Sequence, residues 1–276
     1  MTNEPQSTNL YERREAYIPR VAAIHDLCGY GKCSLGVAIP VLSAAGCDVC
    51  PVPTGLFSSH TAFPGWYMHD TTDILSDYLA AWAGIGVDLD AVYSGFLGAP
   101  EQVDIIRQVW ETYPNALRVV DPVMADHGKV YPTYTPELVA AMCELANGAD
   151  VLTPNLTEAA LILGRPWEGA DVDEETVRAM MLELRERGAK NVVLKGIEHG
   201  DGLIHNYVWG DSVDFTETTN AKLPYMLHGT GDVFASTLLA AVMAGRNLAE
   251  ATAFAADFTA DAMVVSAKQP DFEARG

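Results

Sequence analysis

The feature that most constrains this chain is a rhythm: short apolar runs alternate with longer amphipathic stretches from residue 21 almost to the C-terminus. Residues 21–24, 48–54, 91–94, 117–120, 151–153 and 191–195 are apolar, β-branched or bounded by turn residues, and read as strands. Between them, residues 34–45, 72–84, 100–113, 136–146, 157–163 and 173–187 read as helices. In the second of these, Ile74, Tyr78, Leu79 and Trp82 recur at three- and four-residue spacing, and Gly164 and Gly188 stop two others. Consecutive parallel strands need a crossover, usually a helix, so the alternation predicts an α/β fold with a mostly parallel sheet. Strands apolar throughout must be covered on both faces. Towards the C-terminus, residues 202–209 and 212–218 predict a hairpin across Gly210-Asp211. Helices are expected over 231–244 and 248–266.

Composition narrows the functional classes. Of 276 residues, 49% are apolar, enough for a large core and too many for disorder. No apolar run is long enough to span a bilayer, so no membrane association is expected. The formal charge of −20 argues against nucleic acid as a partner. It also means that an anionic nucleotide would need local compensation by a cation, a lysine or backbone amides. Residues 1–18 are polar, lack the apolar stretch of a signal peptide and are expected to form a flexible tail. Residues 19–270 are expected to form a single domain. Five cysteines without a secretory signal point to reduced thiols and a cytoplasmic protein. The Cys47–Cys50 pair has CxxC spacing but no second ligand pair at zinc-finger distance, and reads as structural thiols in a strand.

In open α/β sheets, ligands bind beyond the carboxyl ends of the strands. His25-Asp26, Asp121, Thr153 to Asn155 and Lys195-Gly196 fall there. A further motif, Gly229-Thr230-Gly231-Asp232, precedes an apolar helix. A glycine-rich turn into a helix aims several N–H groups at one point and adds the positive end of the helix dipole, which suits a transferring phosphoryl group. Asp232 is placed to take a proton from an attacking hydroxyl, or is simply a favourable first-turn acid. Asp121, in Asp121-Pro122-Val123-Met124, is either a ligand for Mg²⁺ or a strand-ending cap. Asn155 or Thr157 is positioned to cap a helix whose first turn holds Glu158, which explains Glu158 without a metal. Lys195 either neutralises nucleotide phosphate or is a solvated strand end.

Taken in order, these segments resemble the ribokinase-like superfamily, and within it the pyridoxal kinase family. The resemblance runs from about Val21 to Ala267 and rests on Gly29-Tyr30-Gly31, Ser59-His60-Thr61, Ser94-Gly95-Phe96, Asp121-Pro122-Val123-Met124, Thr153-Pro154-Asn155 with Glu158, and Gly229-Thr230-Gly231-Asp232. It implies a three-layer α/β/α sandwich, usually a homodimer. It also implies ATP-dependent phosphorylation of the 5′-hydroxymethyl group of a B6 vitamer, with Mg²⁺ and, in many members, a monovalent cation. On this resemblance Asp232 is the general base, and Gly229, Thr230 and Gly231 form the anion hole. Asp121 and Glu158 belong to the metal and ATP-phosphate site, Thr153 and Lys195 contact the nucleotide, and Asp26, Thr61 and Ala62 contact the substrate.

Asp26 departs from the family, where a serine is usual. A carboxylate there suits an ammonium group, so pyridoxamine is expected to be accepted at least as well as pyridoxal. Ala125 stands where a glycine is frequent. The segment around Lys129 and Tyr131 is expected to be a flap over ATP, and His228 to line the motif loop. The alternatives are a hydroxymethylpyrimidine kinase, a sugar or nucleoside kinase, and a non-catalytic B6-binding protein.

Overall fold

Nine strands join into one sheet in the computed structural model, which describes residues 9–270 and Phe272. In chain order the elements are β1 (Arg20–Cys28), α1 (Leu35–Ala44), β2 (Asp48–Phe57), β3 (Met68–Asp70), α2 (Thr72–Gly84), β4 (Ala91–Ser94), α3 (Glu101–Thr112) and β5 (Leu117–Val120). A small hairpin follows, β6 (Ala125–Asp126) and β7 (Lys129–Val130), then α4 (Pro136–Ala146), β8 (Val151–Leu152), α5 (Leu156–Leu163) and α6 (Glu174–Glu186). The chain ends with β9 (Asn191–Ile197), β10 (Leu203–Gly210), β11 (Val213–Ala221), α7 (Thr230–Met243) and α8 (Leu248–Ser266).

The sheet order is β11-β10-β9-β8-β5-β4-β1-β2-β3. From β9 to β2 every neighbouring pair is parallel; β3, β10 and β11 pair antiparallel and form the two margins. The chain leaves β1 towards β2 and later returns to β1's other side with β4. The order therefore reverses at β1, and the crevice beyond β1 and β4 is where such a fold receives ligands.

Strand side chains alternate between faces, and each face has its own core. Val21, Ala23, Tyr93, Val119 and Val193 pack against Leu35 and Leu42 of α1, Leu238 and Leu239 of α7, and Leu248 of α8. Ala22, Ile24, Val92, Val120 and Leu194 pack against Leu75 of α2, Ile106 of α3, Met142 of α4, Ile162 of α5 and Met181 of α6. The result is the three-layer α/β/α sandwich.

The differences from the expected elements have local causes. β1 and β2 run on to Cys28 and Phe57 because they pair through His25 and resume pairing at Leu27, with Asp26 in the register shift between them. β3 is three residues, Met68 half-buried and His69 and Asp70 exposed, with no apolar alternation to announce it. The expected flap is the β6–β7 hairpin. It is held down where Asn155 Nδ2 donates to the Ala125 carbonyl (2.8 Å) and the Gly128 N–H donates to Thr157 Oγ1 (2.9 Å).

Of the tail expected through residue 18, residues 9–18 are among the described residues and make contacts with the body of the domain, and residues 1–8 lie outside the described residues. Asn9 Nδ2 donates to the Gly245 carbonyl at 3.0 Å, and the hydroxyls of Tyr11 and Tyr17 donate to Asp90 at 3.2 and 2.9 Å. Asp90 also accepts the Arg20 N–H at 2.8 Å, so one carboxylate ties the incoming segment to the start of β1. Among the described residues, no helix is long and apolar enough to cross a membrane. All five cysteines are free, Cys47 being buried in the core and Cys50 half-buried on β2.

Candidate active site

Helix α7 begins at the glycine-rich motif. Gly229 has φ of +79°, and a Cβ there would stand 2.1 Å from the Lys32 carbonyl oxygen, so only glycine fits. This close approach presses the motif against the loop after β1. The first N–H groups of α7 have no intrahelical acceptors and lie beside the buried Lys195, whose Nζ is 3.6 Å from where a Cβ on Gly231 would be. Backbone donors, the helix dipole and one ammonium therefore converge on one spot.

Asp232 lies in that first turn and is buried. Burial pushes its carboxyl pKa up to about 7; the Ser34 N–H opposes the rise, Asp121 and Asp26 add to it, and Lys195 reduces it. Its Oδ1 is buried with no hydrogen-bond partner among the described residues. A carboxylate poised near neutrality with an open oxygen has the properties of a general base.

Asp121 leaves the end of β5 fully buried. Its Oδ1 accepts from Lys195 Nζ at 2.5 Å and from Thr153 Oγ1 at 2.9 Å. Burial lowers the Lys195 pKa, but Asp121 and Glu158 outweigh it and leave it raised, so the side chain stays an ammonium. The other oxygen of Asp121, Oδ2, is buried without a hydrogen-bond partner among the described residues. Glu158 completes a capping box: Asn155 Oδ1 accepts the Glu158 N–H (2.9 Å), and Glu158 Oε2 accepts the Asn155 N–H (2.8 Å). Its Oε1 accepts from the Met124 N–H at 3.3 Å. Burial raises its pKa to about 8, with Lys195 opposing and Asp121 adding. Both Glu158 oxygens thus hold the loop after β5 against the start of α5.

On the other side of Asp232, Asp26 is buried on β1. Burial raises its pKa, against hydrogen bonds from the side chains of Ser34 and Cys28. Cys28 Sγ is 3.4 Å from Asp26 Oδ2 and 3.2 Å from Cys33 Sγ. Ser34, which the sequence suggested only as a helix start, acts on both carboxylates: its hydroxyl holds the Asp26 pKa down and its N–H does the same for Asp232. It does so from φ of +50°, a strained conformation for a residue with a Cβ.

The structure gathers Asp26, Asp121, Glu158, Lys195, Thr153 and Asp232 with the Gly229–Gly231 turn. Thr61 and Ala62 are exposed, on the loop between β2 and β3. That loop reaches the motif through His60, whose ring stands 4.9 Å from the ring of His228. His25 does not join the site. It is fully buried, edge-on to Tyr93 at 4.3 Å and beneath Gly95, where any Cβ would collide with its ring. Burial lowers its pKa to about 3, which keeps it neutral.

The orphaned buried oxygen of Asp121 is a hard donor of the kind that divalent cations such as Mg²⁺ take. A cavity of about 260 Å³ opens beside Gly229 and Thr230, lined in part by Lys32, Val37, Val233 and Met263. A larger one, about 760 Å³, lies at the opposite end of the sheet around Asp90, Arg118 and Asp150, remote from this chemistry.

A family model described as phosphomethylpyrimidine kinase matches residues 41–273. The pyridoxal kinase PdxY of Paraburkholderia phymatum is 33% identical over 198 residues, covering 68% of this chain and 66% of that protein. The pyridoxal kinase PdxY of Pasteurella multocida is 28% identical over 280 residues, covering 92% of this chain and 91% of that protein. Among solved structures, a Bacteroides thetaiotaomicron protein described as a phosphomethylpyrimidine kinase and crystallised with pyridoxal superposes with a TM-score of 0.89 at 33% identity. That match covers 94% of this chain and 92% of the other.

Proposed function

The chain belongs to the phosphomethylpyrimidine kinase family, and from that membership we propose that it transfers the γ-phosphoryl group of ATP to the 5′-hydroxymethyl group of a vitamin B6 vitamer. The observation that carries the reading is the buried Asp232, with one open oxygen, in the first turn of a helix that begins with an anion-binding glycine turn. Pyridoxal kinases among the relatives, and pyridoxal in the Bacteroides thetaiotaomicron structure, support a B6 vitamer as acceptor. A relative described as a hydroxymethylpyrimidine/phosphomethylpyrimidine kinase, from Haemophilus influenzae and 32% identical over 170 residues, supports a second acceptor, hydroxymethylpyrimidine, which is also a primary alcohol on a heteroaromatic ring.

In this mechanism Asp232 accepts the hydroxyl proton as the oxygen attacks phosphorus. The N–H groups of Thr230 and Gly231 receive the charge that develops on the transferred oxygens. Lys195 neutralises phosphate charge, and its ion pair with Asp121 holds it in place before the nucleotide arrives. Asp121 would hold the divalent ion through its open oxygen, with Glu158 fixing the backbone behind it. A bound Mg²⁺ would supply charge neutralisation across the nucleotide phosphates. Asp26 and the loop carrying Thr61 and Ala62 form the acceptor side. Mg²⁺ as the specific divalent ion, a monovalent-cation requirement, a homodimer and a cytoplasmic location extend this reading on family resemblance alone.

The test is direct. Purified protein with Mg²⁺ and ATP should release ADP only when a B6 vitamer or hydroxymethylpyrimidine is present, with stoichiometric 5′-phosphate product. Unstimulated ADP release without a phosphorylated acceptor would reject the assignment.

A further inference from the structure

On the opposite face of the sheet from α7, the antiparallel margin carries a second cluster of polar side chains that the kinase chemistry does not use. His205 on β10 is buried, with only 7% of its side chain exposed. Its Nδ1 stands 2.5 Å from Glu217 Oε1 on β11, and its Nε2 lies 3.1 and 3.2 Å from the two carboxylate oxygens of Asp201. His199, in the turn leaving β9, packs its ring 4.4 Å from that of His205. A ring nitrogen of His199, one of His205 and a carboxylate oxygen of Glu217 all lie within 4.8 Å of one another. Tyr207 OH donates to Glu217 Oε1 at 2.9 Å and stands 2.7 Å from His199 Nε2.

This arrangement has the two shells of a metal site. Metal-bound histidines characteristically donate their second ring N–H to a carboxylate, which fixes the tautomer and makes the bound nitrogen more basic. Asp201 occupies that position on His205 Nε2. With Nε2 protonated, Nδ1 has a free lone pair, and it faces a carboxylate oxygen at 2.5 Å. Two acceptors that close need a cation between them. A proton is one such cation: burial lowers the His205 pKa, but the hydrogen bonds to Glu217 and Asp201 outweigh it and leave it raised. A divalent metal is the other, and a third donor, His199, is already within reach.

We infer that His199, His205 and Glu217 form a binding site for a late first-row divalent cation of the Zn²⁺ class, with Asp201 as the outer carboxylate and Tyr207 steadying Glu217 and His199. Two imidazoles and one carboxylate suit zinc, nickel or cobalt and are a poor set for Mg²⁺. Binding replaces the shared proton: the Nδ1 proton leaves to solvent and the Nδ1 lone pair binds the metal, while Glu217 opens by a fraction of an ångström to join it. The ion would cross-link three segments, the turn after β9, β10 and β11, and so pin the sheet margin beside the strand that supplies Lys195.

The experiment uses the full chain and the metals alone. Zn²⁺ titration against a chromophoric chelator, with Co²⁺ as a spectroscopic substitute, is run on the wild type, His199→Ala, Glu217→Gln and Asp201→Asn. The same measurements are made on a Cys28→Ser/Cys33→Ser protein, because Asp26, Cys28 and Cys33 form the other candidate cluster. The expected result is saturable uptake of one Zn²⁺ per chain, with release of a proton and a rise in Tm. The cysteine variants retain it, and His199→Ala and Glu217→Gln lose it. Asp201→Asn should weaken affinity by about 10- to 100-fold, the usual effect of removing an outer partner. The Co²⁺ spectrum should lack a thiolate charge-transfer band. Mg-ATP kinase activity of His199→Ala without added zinc should match the wild type, which shows that the variant is folded. Unchanged uptake in both His199→Ala and Glu217→Gln, no saturable uptake, or loss of uptake in the cysteine variants would each overturn the site.

Discussion

Asp232 concentrates most of the chemistry into one residue. Its open oxygen and its pKa near 7 come from the same cause, burial beside two other carboxylates. Asp232→Asn should lower kcat by about 10²- to 10⁴-fold with little change in the KM for ATP, as steady-state kinetics would read it. Below pH 7 the base is protonated, so kcat/KM should fall on the acid side with an inflection near 7, and alkali should not restore it further. The linkage to stability has the opposite sense. A carboxyl whose folded pKa is raised above its unfolded value destabilises the fold increasingly as pH climbs from about 4 to 7. Asp232→Asn should therefore raise Tm more at pH 8 than at pH 4, which thermal melts at the two pH values would check. Asp121 and Lys195 behave differently: each is the other's buried counter-ion. Asp121→Asn leaves an unpaired buried ammonium and should cost about 3–5 kcal/mol in chemical denaturation. In the proposed reading Asp26 belongs to the acceptor side. Asp26→Ser should lower kcat/KM for pyridoxamine relative to pyridoxal by about tenfold or more, the scale of a charge-assisted hydrogen bond. Asp121 and Lys195 could be found in the sequence as polar residues that end apolar runs, and Asp232 from the glycine-rich turn that precedes it. Ser34 could not, since its contribution to Asp232 comes through a backbone N–H set by φ of +50°.

At the scale of elements, the site is a set of strand ends and one helix start, each held by its own local device. The Gly229 turn is the most constrained of them. Gly229→Ala would drive a methyl group into the Lys32 carbonyl from a left-handed backbone position, so the turn must open. The expected outcome is loss of activity with the fold kept, seen as collapsed kcat and an unchanged far-UV spectrum. The capping box at α5 accounts for Glu158 as fully as a metal would, and its role as a backbone brace emerges only when both oxygens are traced to Asn155 and Met124. Helix boundaries were largely readable: α2, α4 and α8 fall on the expected residues 72–84, 136–146 and 248–266. The β6–β7 hairpin and β3 were not, because two- and three-residue strands carry no periodic signal and owe their existence to partners far along the chain.

Across the whole molecule, the alternation of strands and helices was sufficient to read a mostly parallel sheet with two covered faces, and the strand ends indicated where Asp26, Asp121, Thr153 and Lys195 gather. Strand order was not readable from periodicity, yet it brings Asp26 of β1, Asp121 after β5 and Lys195 of β9 to one end of the sheet although β4 and β8 stand between those strands. The approach of His60 to His228 is likewise a product of that order. The net charge of −20 makes the local positive site at Lys195 and the start of α7 the more necessary for an anionic nucleotide. The central claim is that this assembly phosphorylates a B6 vitamer, and it is tested most directly by one comparison. The kcat/KM values for pyridoxal, pyridoxamine, pyridoxine and hydroxymethylpyrimidine should be measured with Mg-ATP for the wild type and Asp232→Asn. The account predicts that B6 vitamers are the better acceptors and that every activity collapses in Asp232→Asn. A clear preference for hydroxymethylpyrimidine, or activity that survives the loss of Asp232, would contradict it.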